Sequence, residues 1–264
     1  MSSMQLGCHC YVFSEYGYDQ AAQLDEIWDM IAAAGYPAIE FMGPNLERPD
    51  WYEAVLRAAE RTGMRLVGGS SGGNLADVAE WDTVLAMMEA YTQKLARLGK
   101  MKCGFTATGT RFADRNDEQN AQVVRAWEQL LALCQSRGVE LNYHTHGEPP
   151  ADVQFVVDNV PALPLGPDLD WLRFGGSDPE AFLRANADRL VMLHARDYEL
   201  GGERTIALGD GDANYAHLKT VLEEIGFAGD FVVELAPPPS ATVKRDLFEC
   251  LKTSREHVRE TMGL

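Results

Sequence analysis

The chain has 264 residues, 46% of them apolar, enough to bury a large core at the upper end of what one domain holds. Acidic residues outnumber basic ones, 40 against 23, for a formal net charge of −17. No Lys/Arg-rich run offsets that charge, so the surface repels phosphate backbones and anionic membranes, which argues against nucleic-acid and membrane partners and for a small, non-polyanionic substrate.

Short β-like runs alternate with helical periodicity, the pattern of βαβ units and a parallel sheet. Eight runs are read in chain order: Leu6 to Phe13, Ala38 to Met42, Arg65 to Gly68, Lys102 to Thr106, Glu140 to Tyr143, Leu163 to Pro167, Leu190 to His194 and Phe231 to Leu235. Helices are expected over Gln20 to Ala34, Trp51 to Thr62, Trp81 to Leu98, Glu118 to Ser136, Pro179 to Ala187, Tyr215 to Ile225 and Thr242 to Thr261. Gly35, Gly63, Gly138 and Gly226 stand where a helix ends before a strand, the position that favours positive φ. Gly68-Gly69-Ser-Ser-Gly72-Gly73 lacks the Lys-Ser/Thr ending of a phosphate loop and reads as a flexible third βα loop. Eight alternations without Gly-x-Gly-x-x-Gly after the first strand predict one (β/α)8 barrel over residues 1–264, a fold that needs roughly 250 residues. Cys8, Cys10, Cys103, Cys134 and Cys250 are odd in number and include no Cys-x-x-Cys, so they read as reduced thiols. The chain shows no basic-then-apolar leader and no apolar run near the roughly 18 residues of a membrane span. A cytoplasmic, soluble protein is expected, with a homodimer an open option.

A parallel barrel draws its active site from the carboxyl ends of its strands. Candidates stand at four consecutive ends: His144 and His146, then Asp168 and Asp170, then His194, then Glu234. Two imidazoles and two carboxylates suit a divalent Mn²⁺, Co²⁺, Fe²⁺ or Zn²⁺ ion, the nitrogen share disfavouring Mg²⁺. Glu40 ends the second strand on the same rim, placed to meet a substrate hydroxyl. Asp178 before Pro179 reads as a helix cap. Asp170 reads as a loop acid, and Asp197 either orients a ligand or pairs with Arg196. On the first strand His9 faces opposite to Cys8 and Cys10, whose thiols read as core.

Tyr143-His-Thr-His146-Gly147, Asp168-Leu-Asp running through glycines to Asp178-Pro179, His194-Ala-Arg196-Asp197, Gly209-Asp-Gly211 and Val232-Val233-Glu234 occur in that order. Together they resemble the xylose isomerase-like TIM-barrel superfamily of sugar isomerases and epimerases, ketose 3-epimerases, inosose dehydratase and endonuclease IV, most strongly over Gly138 to Pro238. The resemblance implies metal ligands at His144, Asp168, His194 and Glu234, and places His146, Arg196 and Glu40 near substrate. It also shows two departures. Ketose 3-epimerases carry a Glu where this chain has His144, and Trp171 stands where the family often has His, making that wall of the substrate pocket apolar.

The expectation is a metal-dependent isomerase or epimerase of carbohydrate metabolism, acting on a small polyhydroxylated carbonyl compound through an enediolate. Its catalytic groups are Glu234, His146 and His144, with Glu234, His146 or metal-bound hydroxide as the base. A dehydratase (lyase) of the inosose type is the alternative, from the Tyr-His-x-His match. A DNA-repair nuclease would need a basic groove, which the charge opposes. A binding-only barrel would not need all four ligands.

Overall fold

The computed structural model describes residues 4–238, 240 and 245–264. Its elements are β1 (Gln5–His9), α1 (Tyr11–Glu15), α2 (Leu24–Ala33), β2 (Ala38–Met42), α3 (Trp51–Thr62), β3 (Arg65–Asn74), α4 (Val78–Leu98), β4 (Lys102–Thr108), α5 (Asp117–Ser136), β5 (Glu140–Tyr143), α6 (Pro150–Asn159), α7 (Leu169–Gly175), α8 (Pro179–Ala185), β6 (Met192–Ala195), α9 (Tyr215–Glu224), β7 (Asp230–Val233) and α10 (Leu247–Met262). Seven parallel strands pair in the order β5-β4-β3-β2-β1-β7-β6, with helices packed outside. Most strand residues are buried, as expected where both faces of a parallel sheet are covered.

The sixth run, Leu163 to Pro167, does not form a ladder. Pro164 and Pro167 have no N–H to donate, and what remains is a set of single bridges. Leu165 bridges to Tyr143 on one side and to Leu190 on the other. The Tyr143 N–H donates to the Pro164 carbonyl at 2.9 Å, and the His194 N–H to the Pro167 carbonyl at 3.0 Å. The Thr145 hydroxyl continues this seam, accepting from the Asp168 N–H at 3.1 Å and donating to the Asp168 carbonyl at 3.2 Å. The segment thereby joins the two edges of the sheet and closes the ring.

Three other expectations change. The first strand stops at His9, because Cys10 turns into the right-handed helical region (φ −76°, ψ −5°) and α1 begins. The glycine-rich stretch is no flexible loop: it is the second half of β3, in register with β4 from Gly68↔Lys102 to Asn74↔Thr108. Its glycines allow close packing, since a Cβ on Gly73 would lie 2.9 Å from Val84 of α4. Gly68, at φ +155°, sits at a bulge opposite Glu40, where a Cβ would run into the Lys102 carbonyl. Helices α1, α6 and α7 carry too few periodic positions to stand out in the sequence. The expected start of the last helix, Thr242, lies outside the described residues, and α10 begins at Leu247.

Trp28, Trp127, Phe13, Phe41, Phe105 and Phe231 are fully buried in the large core, and a second, smaller cluster of Ala38, Val67, Met192 and Val232 fills the lower barrel. Among the described residues no helix is long and apolar enough to cross a membrane. At the amino ends of the strands Asp230 accepts from Lys102 at 2.6 Å and from Arg65, and Lys102 also donates to the Val191 carbonyl at 2.7 Å. Asp230→Ala leaves Lys102 without its counter-charge. Because Arg65 and Lys102 reach solvent in part, the expected loss is about 2–3 kcal/mol rather than the full cost of breaking a buried pair. A thermal midpoint lower by roughly 5–10 °C checks this.

Candidate active site

A cavity of about 700 Å³ opens at the carboxyl ends of the strands. Its floor holds the side chains that the strand ends deliver: His9 at the end of β1, His144 after β5, His194 on β6 and Glu234 after β7.

His194 is the hub. Its Nε2 lies 2.6 Å from Oε2 of Glu40 and its Nδ1 lies 3.1 Å from Nδ1 of His144. Burial alone would lower the His194 pKa, but the Glu40 carboxylate reverses this and pushes it up to about 9. Burial, and then the charge on His194, push His144 down to about 4. The protein at neutral pH therefore holds an imidazolium that donates from Nε2 to Glu40 and from Nδ1 to a neutral His144. Glu40 stays below the usual carboxylate range despite its burial, through the charge and hydrogen bond of His194.

Arg196 is the second centre. Only 5% exposed, it donates from Nε to Asp168 Oδ2 at 2.7 Å and from Nη2 to Glu234 Oε1. Burial would raise the Glu234 pKa, but the Arg196 guanidinium holds the carboxyl well below its usual range. His9, whose pKa burial lowers, accepts the Tyr11 N–H at Nδ1 (3.1 Å), which assigns its proton to Nε2, 3.2 Å from the Ser70 hydroxyl. His146 and Trp171 form a wall, with ring centres 4.2 Å apart, and burial lowers the His146 pKa too.

The structure brings together His144, His194 and Glu234, each offering a donor atom within 4.8 Å of the other two. Asp168 does not join them. One of its oxygens caps α7 by accepting the Trp171 N–H at 2.9 Å, and the other takes Arg196. Glu40 does not reach the cavity wall; it lies beneath, 1% exposed, on His194. His9, Glu40 and His194 form a second group of the same kind, and His9 escaped the sequence reading because only the later strand ends were weighed as ligands. Asp170 turns to Arg173 at 2.8 Å, and Asp178 caps α8. Asp197 neither touches a ligand nor pairs with Arg196. Its carboxylate accepts the backbone N–H groups of Tyr198, Gly209, Gly211 and Ala213 at 2.7–3.0 Å, which folds the long loop after β6.

Residues 28–254 match the family described as the xylose isomerase-like TIM barrel. The chain belongs to that family. No curated protein matches it. Among solved structures it is similar to an L-ribulose 3-epimerase (16% identity, TM-score 0.79, 98% of this chain and 95% of that one). It is also similar to a D-allulose 3-epimerase from Methylomonas sp. (17%, 0.76, 99% of both chains). A third is a sugar phosphate isomerase/epimerase from Parabacteroides distasonis (18%, 0.75, 98% and 94%). At these identities the likeness is one of fold, carried over the full length of the barrel.

Asp197→Ala removes the acceptor around which the loop is wound. Hydrogen–deuterium exchange of residues 198–213 should rise at least about tenfold, the global stability falling by ~2–4 kcal/mol if the loop unfolds only with the barrel, since hydrogen bonds to a charged acceptor are the strong kind.

Proposed function

We propose that this chain is an isomerase or epimerase of a small polyhydroxylated carbonyl compound, dependent on one divalent metal ion and working through an enediolate. The observation that carries the reading is the 3.1 Å approach of two imidazole Nδ1 atoms beside the Glu234 carboxylate on the floor of the cavity. An ion would take the place of the proton that His194 Nδ1 shares with His144, since two nitrogen donors each about 2.1 Å from one ion stand at about that spacing. Glu40 on the far nitrogen of His194 is the carboxylate that orients a metal-bound imidazole. The ligand set on this reading is His144, His194 and Glu234; two imidazoles with one carboxylate leave coordination positions open and favour Zn²⁺, Fe²⁺, Co²⁺ or Mn²⁺. Asp168 instead holds Arg196 in place.

Bound there, the ion supplies Lewis-acid polarisation of the substrate carbonyl. The chain's own residues supply the rest. Glu234 is ionised and committed to Arg196, which makes it a poor base. His146 stands on the cavity wall, neutral at pH 7 because burial lowers its pKa, and takes the proton next to the carbonyl. Arg196 and the neutral, proton-bearing Nε2 of His9 stabilise negative charge on the substrate oxygens. Trp171 gives an apolar face for the sugar ring. Return of the proton from His146 to the adjacent carbon gives an isomer, whereas an epimer requires a second donor to deliver a proton to the opposite face. Structural neighbours have been solved with D-allulose and with D-tagatose, compounds of the class proposed.

Three measurements test this. Metal-loaded protein in deuterated water with a panel of ketoses should place deuterium at the carbon next to the carbonyl, seen by NMR. Absence of exchange across the panel, or loss of water in its place, overturns the reading. Glu234→Gln should lower turnover on the order of a hundredfold or more with an unchanged circular dichroism spectrum. Asp168→Asn keeps the helix cap, so it should change Co²⁺ affinity by less than about tenfold and leave the visible spectrum of the bound cobalt as it is, whereas His144→Ala should alter both.

A further inference from the structure

We propose that Arg204 is an anion-recognising residue of the cavity, so that the substrate bears a carboxylate or phosphate group in addition to its carbonyl and hydroxyls. The proposal rests on the enolisation reading for the reaction but not for the binding it describes.

The basic side chains at the cavity wall are Arg196 and Arg204. Arg196 is held by Asp168 and Glu234. Arg173, two residues from Trp171, is occupied by Asp170 and stacks 3.8 Å over Tyr198. Among the described residues Arg204 has no carboxylate partner, in a chain where 40 acids face 23 bases. Even its neighbour Glu203 turns away, to the N–H and hydroxyl of Ser240.

Arg204 is nonetheless fixed in place. It lies in an antiparallel bridge with Tyr198, and the Glu199 N–H donates to the Glu203 carbonyl at 3.0 Å. Asp197 winds the rest of the loop around its carboxylate. The guanidinium is centred 4.5 Å from the Trp171 ring, on the indole that also meets His146. A guanidinium packed on an aromatic keeps its in-plane N–H donors for a planar oxyanion, the fork geometry that suits carboxylate and phosphate. The acidic surface repels such a group at long range, so a dedicated short-range cation at the cavity is what an anionic substrate requires.

The test is calorimetric titration of the metal-free protein with gluconate, sorbitol 6-phosphate and sorbitol, which share a carbon chain and differ in charge. At least one anion should bind about tenfold or more tightly than sorbitol, and the stronger of the two identifies the group. Arg204→Met, which keeps an apolar contact with Trp171, should lower that anion's affinity to the level of sorbitol, and Arg204→Lys should restore part of it. Equal binding of all three, no binding of either anion at millimolar concentration, or unchanged discrimination in Arg204→Met overturns the proposal. Deuterium exchange by the metal-loaded protein with fructose, fructose 6-phosphate and 2-ketogluconate separates the two readings. Exchange in none, with anion discrimination intact, removes the enolisation reading and leaves the anion subsite standing.

Discussion

A guanidinium that is 5% exposed has to be paired, because an isolated charge in a protein interior costs several kcal/mol. The pairing of Arg196 sets much of the site. It draws Asp168 toward the top of β6 and Glu234 across from β7. Asp168 is thereby drawn out of the donor cluster, and the Glu234 carboxyl is held well below its usual range. The Glu40–His194 pair repeats the logic below. One carboxylate keeps one imidazole charged, and that charge, with burial, keeps His144 neutral. Two opposite pairs side by side let a cluster of buried ionisable groups coexist without large repulsion.

Much of the architecture could be read from the chain, because strand and helix periodicities differ and glycines mark the helix ends. The rule that a parallel barrel gathers its chemistry at the carboxyl ends of its strands pointed to His144, His194 and Glu234, which the structure brings into one cluster. It grouped Asp168 with them, whereas the structure turns its oxygens to the Trp171 N–H and to Arg196, since two oxygens at a strand end serve equally as metal ligands, a helix cap or counter-ions to an arginine. That choice is made by Arg196, which approaches from β6 and leaves no trace in local sequence. Glu40 was read as a rim residue; the bulge opposite Gly68 belongs to the backbone of two strands and sets its carboxylate under His194. Glycines in β3 looked like a loop because glycine in a sequence signals freedom, whereas here it signals the nearness of α4. Arg204 offered no pattern at all. Its place depends on Asp197, whose job, accepting backbone N–H groups across a 16-residue span, is a tertiary property.

The closure of the ring through Leu165 concerns more than topology. Where β3 and β4 pair over seven registered positions, the seam on either side of Leu165 has a few single bonds and a threonine hydroxyl, for Pro164 and Pro167 accept through their carbonyls but have no N–H to donate. The two imidazoles 3.1 Å apart stand on the opposite banks of this seam, His144 after β5 and His194 on β6. Any breathing of the seam pulls them apart, and anything that draws them together acts as a clasp on the barrel. Occupancy of the cluster and cohesion of the wall are thus one mechanical variable, since the same two side chains hold both.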